Sequence, residues 1–469
     1  MGSSEIFKKI LLVAGDLVVF CLALLAAMAI RHQGRMGDPE LYYIHFIPFG
    51  GLFFIWLIVF YIYSLYDLRY WDSSVSFLNL AAHAFTLNTL IAIAFFYFNP
   101  YVSIAPRTVL FVDIALSGLL FCAWRFLFNR ALAKKLMQDI ALAGASQAHI
   151  ELAREFAKKP AWGYRVSCFV TDETYILPQD LAHIPVLSVQ MFEKEMQHAE
   201  RQPGGPPTEG GLRIARVIFS ERPDRTTQHA LSFFSLLSRH VTFQALPTFI
   251  ERVFHKVPLS EVSESWFLEN LSEGEKQFYE QLKRAFDIAG AIVLGVFTLP
   301  LMALVALGIK LEDGRRVLYT HTRLGRGGSM FRLLKFQSMI EHAEAGGPQW
   351  TRENDPRVTM FGSFLRSTRL DELPQLWNVL LGDLSFIGPR PERPEFVEKL
   401  EKDIPFYNLR HLVRPGLSGW AQINNPLQSV EESYEKLEYD LFYIKNRSFF
   451  LDVAIALKTL SIILRRKGR

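Results

Sequence analysis

Residues 285–310 read AFDIAGAIVLGVFTLPLMALVALGIK, and their path determines which side of a membrane the rest of the chain occupies. The apolar part, 288–309, is long enough to cross a hydrocarbon core about 30 Å thick at about 1.5 Å per residue. Pro300 sits in its middle, where it removes a backbone donor and kinks a helix. Both flanks are basic: Lys283 and Arg284 precede the run, and Lys310, Arg315 and Arg316 follow it. Positive charge on both sides argues against a crossing. A helix–break–helix over about 283–310, broken at Pro300 and leaving by the leaflet it entered, satisfies both observations. The freed backbone groups then find partners in protein or headgroups. A fifth true span would place everything that follows on the outer side.

The first third is membrane-like throughout. Apolar runs at 10–30, 44–66, 77–98 and 109–127 each have spanning length, with Tyr, Trp and Phe near their ends. With the N-terminus inside, the inner side collects Lys8, Lys9, Arg69, Arg125, Arg130, Lys134 and Lys135, and the outer side keeps Arg31, Arg35 and Arg107. That imbalance favours both ends inside and puts everything after residue 135 in the cytoplasm. The first run lacks a small-residue cleavage site, so no cleavable signal peptide is expected. Asp16, His83 and Asp113 fall inside the runs. They read as polar clasps between helices or helix-end residues rather than a transport path, since no span carries a series of charges.

From Gln138 the texture changes. DIALAG, YRVSCFVTD, IPVLSV, ARVIFSE and VTFQALP alternate with helix-like stretches, which predicts a parallel sheet with covering helices. A Pro/Gly-rich loop occupies 201–211, and 226–240 reads as a helix. The first strand runs into Gly144-Ala145-Ser146 with no further glycines in a G-x-G-x-x-G pattern. The domain therefore reads as structural or regulatory rather than as an active dinucleotide site.

Bulk numbers agree with a membrane protein. The chain has 469 residues, 50% of them hydrophobic, and a net charge of +4, so nucleic acid is not an indicated partner. Cys21, Cys122 and Cys168 show neither a disulfide framework nor metal-ligand spacing.

After residue 310 polar motifs crowd together: LYTHTRLGRGGSMFRLLKFQSM at 318–339, TRENDPRVTMFGSFLRSTRLDELPQLWNVLLGDLSFIGPRPE at 351–392, and RHLVRPGLSGWAQIN at 410–424. Asp371 and Glu372 stand side by side behind Arg366 and Arg369. Arginine matches phosphate oxygens with planar paired donors, and carboxylates beside arginines suit a phosphate–Mg²⁺ site. An ionised Asp can also attack phosphorus. Taken alone, such a pair is more often the charged start of a helix with solvated arginine partners, and it is the surrounding motifs that point to chemistry. Gly388, Gly416 and Gly419 could be turn glycines, and Trp420 a core residue.

From Lys283 to its end the chain resembles the bacterial sugar transferases, the monotopic polyprenyl-phosphate hexose-1-phosphate transferases. The resemblance rests on KR..D at 283–287, a re-entrant helix with a central Pro, KF.SM, NDPR.T..G..LR...LDELPQ.WNVL.GD.S..GPRPE and PG..GWAQ. The front end resembles that of the family's long members. This implies a membrane α-helical bundle at 1–135, a cytoplasmic α/β Rossmann-like domain at 136–250, and an α/β catalytic domain at 251–469 anchored by the re-entrant helix.

The resemblance implies transfer of sugar-1-phosphate from a UDP-sugar to undecaprenyl phosphate with release of UMP, the initiating step of O-antigen, capsule or exopolysaccharide synthesis. It makes Asp371 the nucleophile of a covalent aspartyl-phosphosugar intermediate. Glu372 and Asp371 hold Mg²⁺, while Lys335, Arg366 and the run Pro389-Arg390-Pro391 bind phosphate and nucleotide. It also implies a homodimer in the bacterial inner membrane with its catalytic domain facing the cytoplasm. Two departures stand out. Gln337 replaces the usual Arg of KF.SM, and His321, Thr322, Arg323 and Gly325 stand where Q.R.G is common. His321 reads as a surface or packing residue rather than a base. The rivals are a membrane-bound nucleotide-sugar dehydratase or epimerase and a non-catalytic membrane scaffold. The first would need a glycine-rich loop and a Tyr-x-x-x-Lys pair, which Tyr279 and Lys283 match only by spacing. The tail after 449 reads equally as an amphipathic helix on an anionic leaflet and as a core helix with a basic end.

Overall fold

The computed structural model describes residues 3–32, 38–66, 74–98, 107–128, 137–159, 162–172, 175–200, 214–220, 241–271, 274–340, 343, 355–425 and 430–464. The loop at 201–211, the helical reading of 226–240, the cations Arg35, Arg69, Arg130, Lys134 and Lys135, and the tail from Arg465 lie outside the described residues. The chain forms two compact units, Met1–Val253 and Phe254–Arg469.

The first unit begins with four long apolar helices, as expected: α1 (Ser3–Arg31), α2 (Pro39–Ile62), α3 (Ser74–Phe98) and α4 (Arg107–Phe128). Each is long and apolar enough to span a membrane. Their interior is aromatic, with Phe20 against Phe53, Trp56 and Phe60, and Phe60 against Phe121. Gly15 lets α1 approach α4, since a Cβ there would run into Trp124. Asp16 then pairs with Arg125 of α4 at 2.5 Å, both buried, so this charge is a clasp between helices. His83 is exposed and bonds Asn79 O on its own helix at 2.6 Å.

The same unit continues with β1 (Gln138–Ala143), α5 (Gln147–Lys158), β2 (Tyr164–Val170), β3 (Val186–Leu187), α6 (Val189–Glu200), β4 (Arg216–Phe219), β5 (Thr242–Ala245) and α7 (Leu246–Phe254). The strands form one parallel sheet in the order β3-β2-β1-β4-β5. Ile140, Ala141 and Leu142 are fully buried, which explains why this strand reads as a continuous apolar run. Gly144 turns the chain out of β1 with φ +122°, and a Cβ there would press on the His149 ring at 3.2 Å.

The second unit starts with α8 (Glu264–Asn270) and α9 (Gln277–Asp313). Helical backbone runs through Pro300, so α9 is one helix of 37 residues where the sequence suggested helix–break–helix. Proline removes a single donor, and a helix can carry that loss as a bend without ending. Both halves of α9 are bound to the polar part of the unit. In the first half Arg284 donates to Val379 O at 2.5 Å and Leu380 O at 2.7 Å. Asp287 accepts from Ser385 Oγ and Phe386 N, both at 3.1 Å, and Ala291 joins a cluster with Leu333, Val379 and Leu384. In the second half Val305 and Ile309 pack with Phe336 and Leu365. Between them the apolar side chains Ile292, Val293, Val296, Phe297 and Leu299 are exposed.

Two strands follow, β6 (Leu318–Leu324) and β7 (Met330–Phe336), an antiparallel hairpin turned by Gly327 and Gly328 at positive φ. Then come α10 (Met360–Ser367), α11 (Gln375–Leu381), β8 (Ser385–Ile387), α12 (Pro394–Asp403), β9 (Gly416–Ser418), α13 (Trp420–Asn424), α14 (Val430–Asn446) and α15 (Phe449–Leu464). Leu437, Leu441 and Ile444 of α14 centre the core with Trp420, whose indole donates to His255 O at 2.8 Å. In α15 Ile455 joins that core, as the second reading of the tail expects, and Phe450 is 85% exposed. Tyr279 and Lys283 meet Asp452 of α15 at 2.7 and 2.6 Å. Their Tyr-x-x-x-Lys spacing thus serves a structural ion pair.

Candidate active site

The acid pair lies in a short 3₁₀ turn, Leu370–Glu372, between α10 and α11. Arg369 enters this turn in the left-handed region at φ 57°, a conformation a non-glycine residue holds at a cost of about 1–3 kcal/mol. The turn buries Asp371 and brings both carboxylates to Lys335 of β7. Lys335 Nζ is 3.0 Å from Glu372 Oε1 and 3.9 Å from Asp371 Oδ2. Asn378 of α11 sets this register. Its amide donates to Arg332 O at 2.8 Å and accepts from Leu334 N at 3.0 Å, so it grips β7 just ahead of Lys335.

Arg390 comes from the loop after β8, and its guanidinium lies 3.4 Å from Glu372 Oε1. The backbone that carries it is held at successive carbonyls. Pro389 O accepts from Gly416 N at 2.9 Å, Arg390 O from Arg410 at 3.0 Å, and Pro391 O from Arg323 at 3.0 Å. The prolines add fixed φ angles and offer no competing donors. Gly388 and Gly416 are therefore more than turn residues. β8 and β9 approach so closely that a Cβ on either would collide with the other's backbone. Arg410 is itself buried, donating to the Tyr407 hydroxyl and pairing with Asp440 at 2.9 Å. Burial pushes the Asp440 carboxyl up to about 6, although Arg410 pulls against that.

The pocket treats its two acids differently. Burial alone would raise Glu372, but Lys335, Arg390 and Arg369 outweigh it and hold this carboxyl below its ordinary range. Asp371 is shifted upward by burial, and the neighbouring Glu372 charge adds to that against the pull of Lys335, Arg366 and Arg390. Arg366, in the last turn of α10, thus acts on Asp371 while Arg390 bonds Glu372. Lys335, Arg366, Arg369, Asp371, Glu372 and Arg390 come together here, and Pro389 and Pro391 belong to the backbone that carries Arg390. Asn378, Arg410 and Asp440 carry no such local signal, because the contacts by which they support the site, to Arg332 and Leu334, to Arg390 and to Arg410, span 20 or more residues.

His321 is neither at the surface nor simply packed. It is half-buried on β6, accepts from Arg323 Nε at 2.7 Å, and is driven down to about 2 by burial and by Arg323, Lys335, Arg393 and Arg390.

The bacterial sugar transferase family matches residues 278–466, the span that holds all of these groups. Identity is 45% over 191 residues with the UDP-N-acetylgalactosamine-undecaprenyl-phosphate N-acetylgalactosaminephosphotransferase of Aeromonas hydrophila, 40% of this chain and 45% of that one. It is 40% over 181 residues with the UDP-glucose:undecaprenyl-phosphate glucose-1-phosphate transferase of Escherichia coli, 38% of this chain and 39% of that one. A shorter Bacillus subtilis protein, provisionally named an undecaprenyl-phosphate N-acetylgalactosaminyl 1-phosphate transferase, is 48% identical over 132 residues. These are 28% of this chain and 74% of that relative.

The chain belongs to the bacterial sugar transferases. With the first two relatives the likeness spans less than half of either chain.

Proposed function

We propose that this protein transfers sugar-1-phosphate from a UDP-sugar to undecaprenyl phosphate at the inner face of a bacterial inner membrane. The observation that carries the reading is the Asp371-Glu372 pair, Asp371 buried and Glu372 half-buried, set against Lys335 and against Arg390, whose loop is pinned at three carbonyls. Asp371 is the nucleophile. A carboxylate oxygen attacks the sugar-bearing phosphorus, and the bond to the bridging oxygen breaks. UMP leaves with that electron pair, and the sugar phosphate stays on Asp371 as an acyl phosphate. An oxygen of undecaprenyl phosphate then attacks the same phosphorus and frees the carboxylate. Lys335, Arg366 and Arg390 neutralise charge that develops on the phosphate oxygens. Glu372, kept ionised by its three cations, holds Lys335 and Arg390 in place for that work.

The two adjacent carboxylates suit Mg²⁺ as hard oxygen donors. Mg²⁺ is commonly held by one or two carboxylates with phosphates and waters completing the shell. Asp371 and Glu372 supply those hard oxygens, and among the described residues no third His, Cys, Asp or Glu joins them. When bound, the ion would neutralise the diphosphate of the donor.

The placement of α9 supports re-entry. In a straight helix Ala291 and Val305 would stand about 21 Å apart. They pack in clusters with Leu333 and Phe336, only about 10 Å apart along one strand. A bend at Pro300 would account for this and would leave the exposed apolar middle to lipid. Met360 and Phe364 on α10 and Trp377 and Leu381 on α11 are exposed beside the two arms of α9, as an interfacial floor would be.

The test is UMP release by the purified full chain in nanodiscs with Mg²⁺, undecaprenyl phosphate and a panel of UDP-sugars. Release from one sugar, dependent on lipid and lost in Asp371→Asn, supports the reading. Unchanged release in Asp371→Asn would sink it, as would silence across the panel from folded protein.

A further inference from the structure

The transfer reading leaves His321 without a task. Tyr319, His321 and Arg323 alternate along β6, and Lys335 stands opposite Tyr319 in the register of β7. Arg323 donates its Nε–H to His321 Nε2 at 2.7 Å. Arginine is always the donor in such a bond, so His321 Nε2 carries a lone pair and the ring's single N–H lies on Nδ1. That Nδ1–H is buried and has no hydrogen-bond partner. The charged groups acting on the ring are Arg323, Lys335, Arg393 and Arg390, none of which can accept. The carboxylates of the pocket face cations: Glu372 is engaged by Lys335 and Arg390, Asp371 stands 3.9 Å from Lys335, and Glu392 is engaged by Arg323 at 3.4 Å. A buried donor ringed by cations lacks one thing, an anionic oxygen.

We infer that His321 Nδ1–H donates to a phosphate oxygen of a substrate bound beside Lys335 and Arg390, and so helps select that ligand. This rests on the transfer reading only for the presence of phosphate. A neutral donor suits the place, because it adds a directed bond without a further positive charge among four cations. Phosphate oxygen can come from the diphosphate of the nucleotide sugar or from the lipid phosphate. Glutamine also offers a neutral N–H, which makes H321Q the conservative variant.

The experiment measures equilibrium binding of UDP and, separately, of undecaprenyl phosphate to the full chain in nanodiscs, with KM and kcat alongside, for wild type, H321Q, H321L and H321F. H321F keeps a ring and lacks the donor, so it serves if H321L fails to fold. Loss of the donor is expected to weaken one of the two ligands about tenfold, and H321Q to stay within about threefold of wild type. A change confined to UDP assigns the oxygen to the nucleotide, and one confined to the lipid assigns it to the acceptor. Unchanged binding of both ligands in folded H321L or H321F overturns the inference, and so does an H321Q as weak as H321F. Wild type that binds neither ligand overturns it too. His321-dependent UDP binding without any sugar transfer would leave the inference standing and remove the transfer reading.

Discussion

Asp371 and Glu372 are chain neighbours with different surroundings: three cations act at Glu372, while Asp371 is buried against its neighbour's charge. Glu372→Gln should therefore cut kcat by about 10²-fold or more while the protein stays folded, because Lys335 and Arg390 lose their shared anchor; steady-state kinetics at saturating donor check this. The pair and its arginines were legible as motifs, since adjacent carboxylates among basic residues already suggest phosphate. The support of Arg390 was not. Arg410 reaches it from 20 positions on and is itself neutralised by Asp440, and no local pattern announces such a contact. Arg410→Met should destabilise by about 3–5 kcal/mol, because it strands a buried carboxylate. Adding Asp440→Leu should restore the melting temperature without restoring kcat, since Arg390 O has still lost its donor. Recovery of both together would make the ion pair purely structural.

At the scale of elements, α9 shows how far periodicity and charge can be read. Its apolar length and basic flanks were plain in the sequence, and the exposed middle agrees with them. Helical continuity through Pro300 was not, because a missing donor is compatible with either a bend or a break. Re-entry predicts that single cysteines at Gly274 and Arg316, in a chain otherwise free of cysteine, label from the same side of sealed vesicles with an impermeant maleimide. Labelling from opposite sides would mean a true crossing. α11 makes a second case. Its sequence gives a short apolar helix, but the role of Asn378 appears only when β7 lies alongside. Asn378→Leu should lower stability by about 2–4 kcal/mol, since it orphans Leu334 N and Arg332 O, and thermal unfolding reads this directly.

At the scale of the whole molecule, the four apolar helices and the parallel sheet were readable from run length and alternation, because burial on both sides leaves strands uniformly apolar. The pocket's field was harder to foresee, since it sums charges from β6, β7, α10 and the loop after β8. His321 reports that field. Its folded pKa lies far below that of the unfolded chain, so below about pH 6.5 the unfolded state takes up a proton that the folded state does not. Stability from this group is complete above pH 6.5 and falls as pH drops from there toward about 2. His321→Gln should flatten that part of the stability profile, and an unchanged slope would contradict the placement of the ring.

The most direct measurement of the central claim is isotope exchange between labelled UMP and the UDP-sugar donor, with no lipid phosphate present. A covalent phosphosugar on Asp371 predicts exchange in wild type and none in Asp371→Asn. Exchange that appears only when undecaprenyl phosphate is added, or that survives in Asp371→Asn, would contradict it.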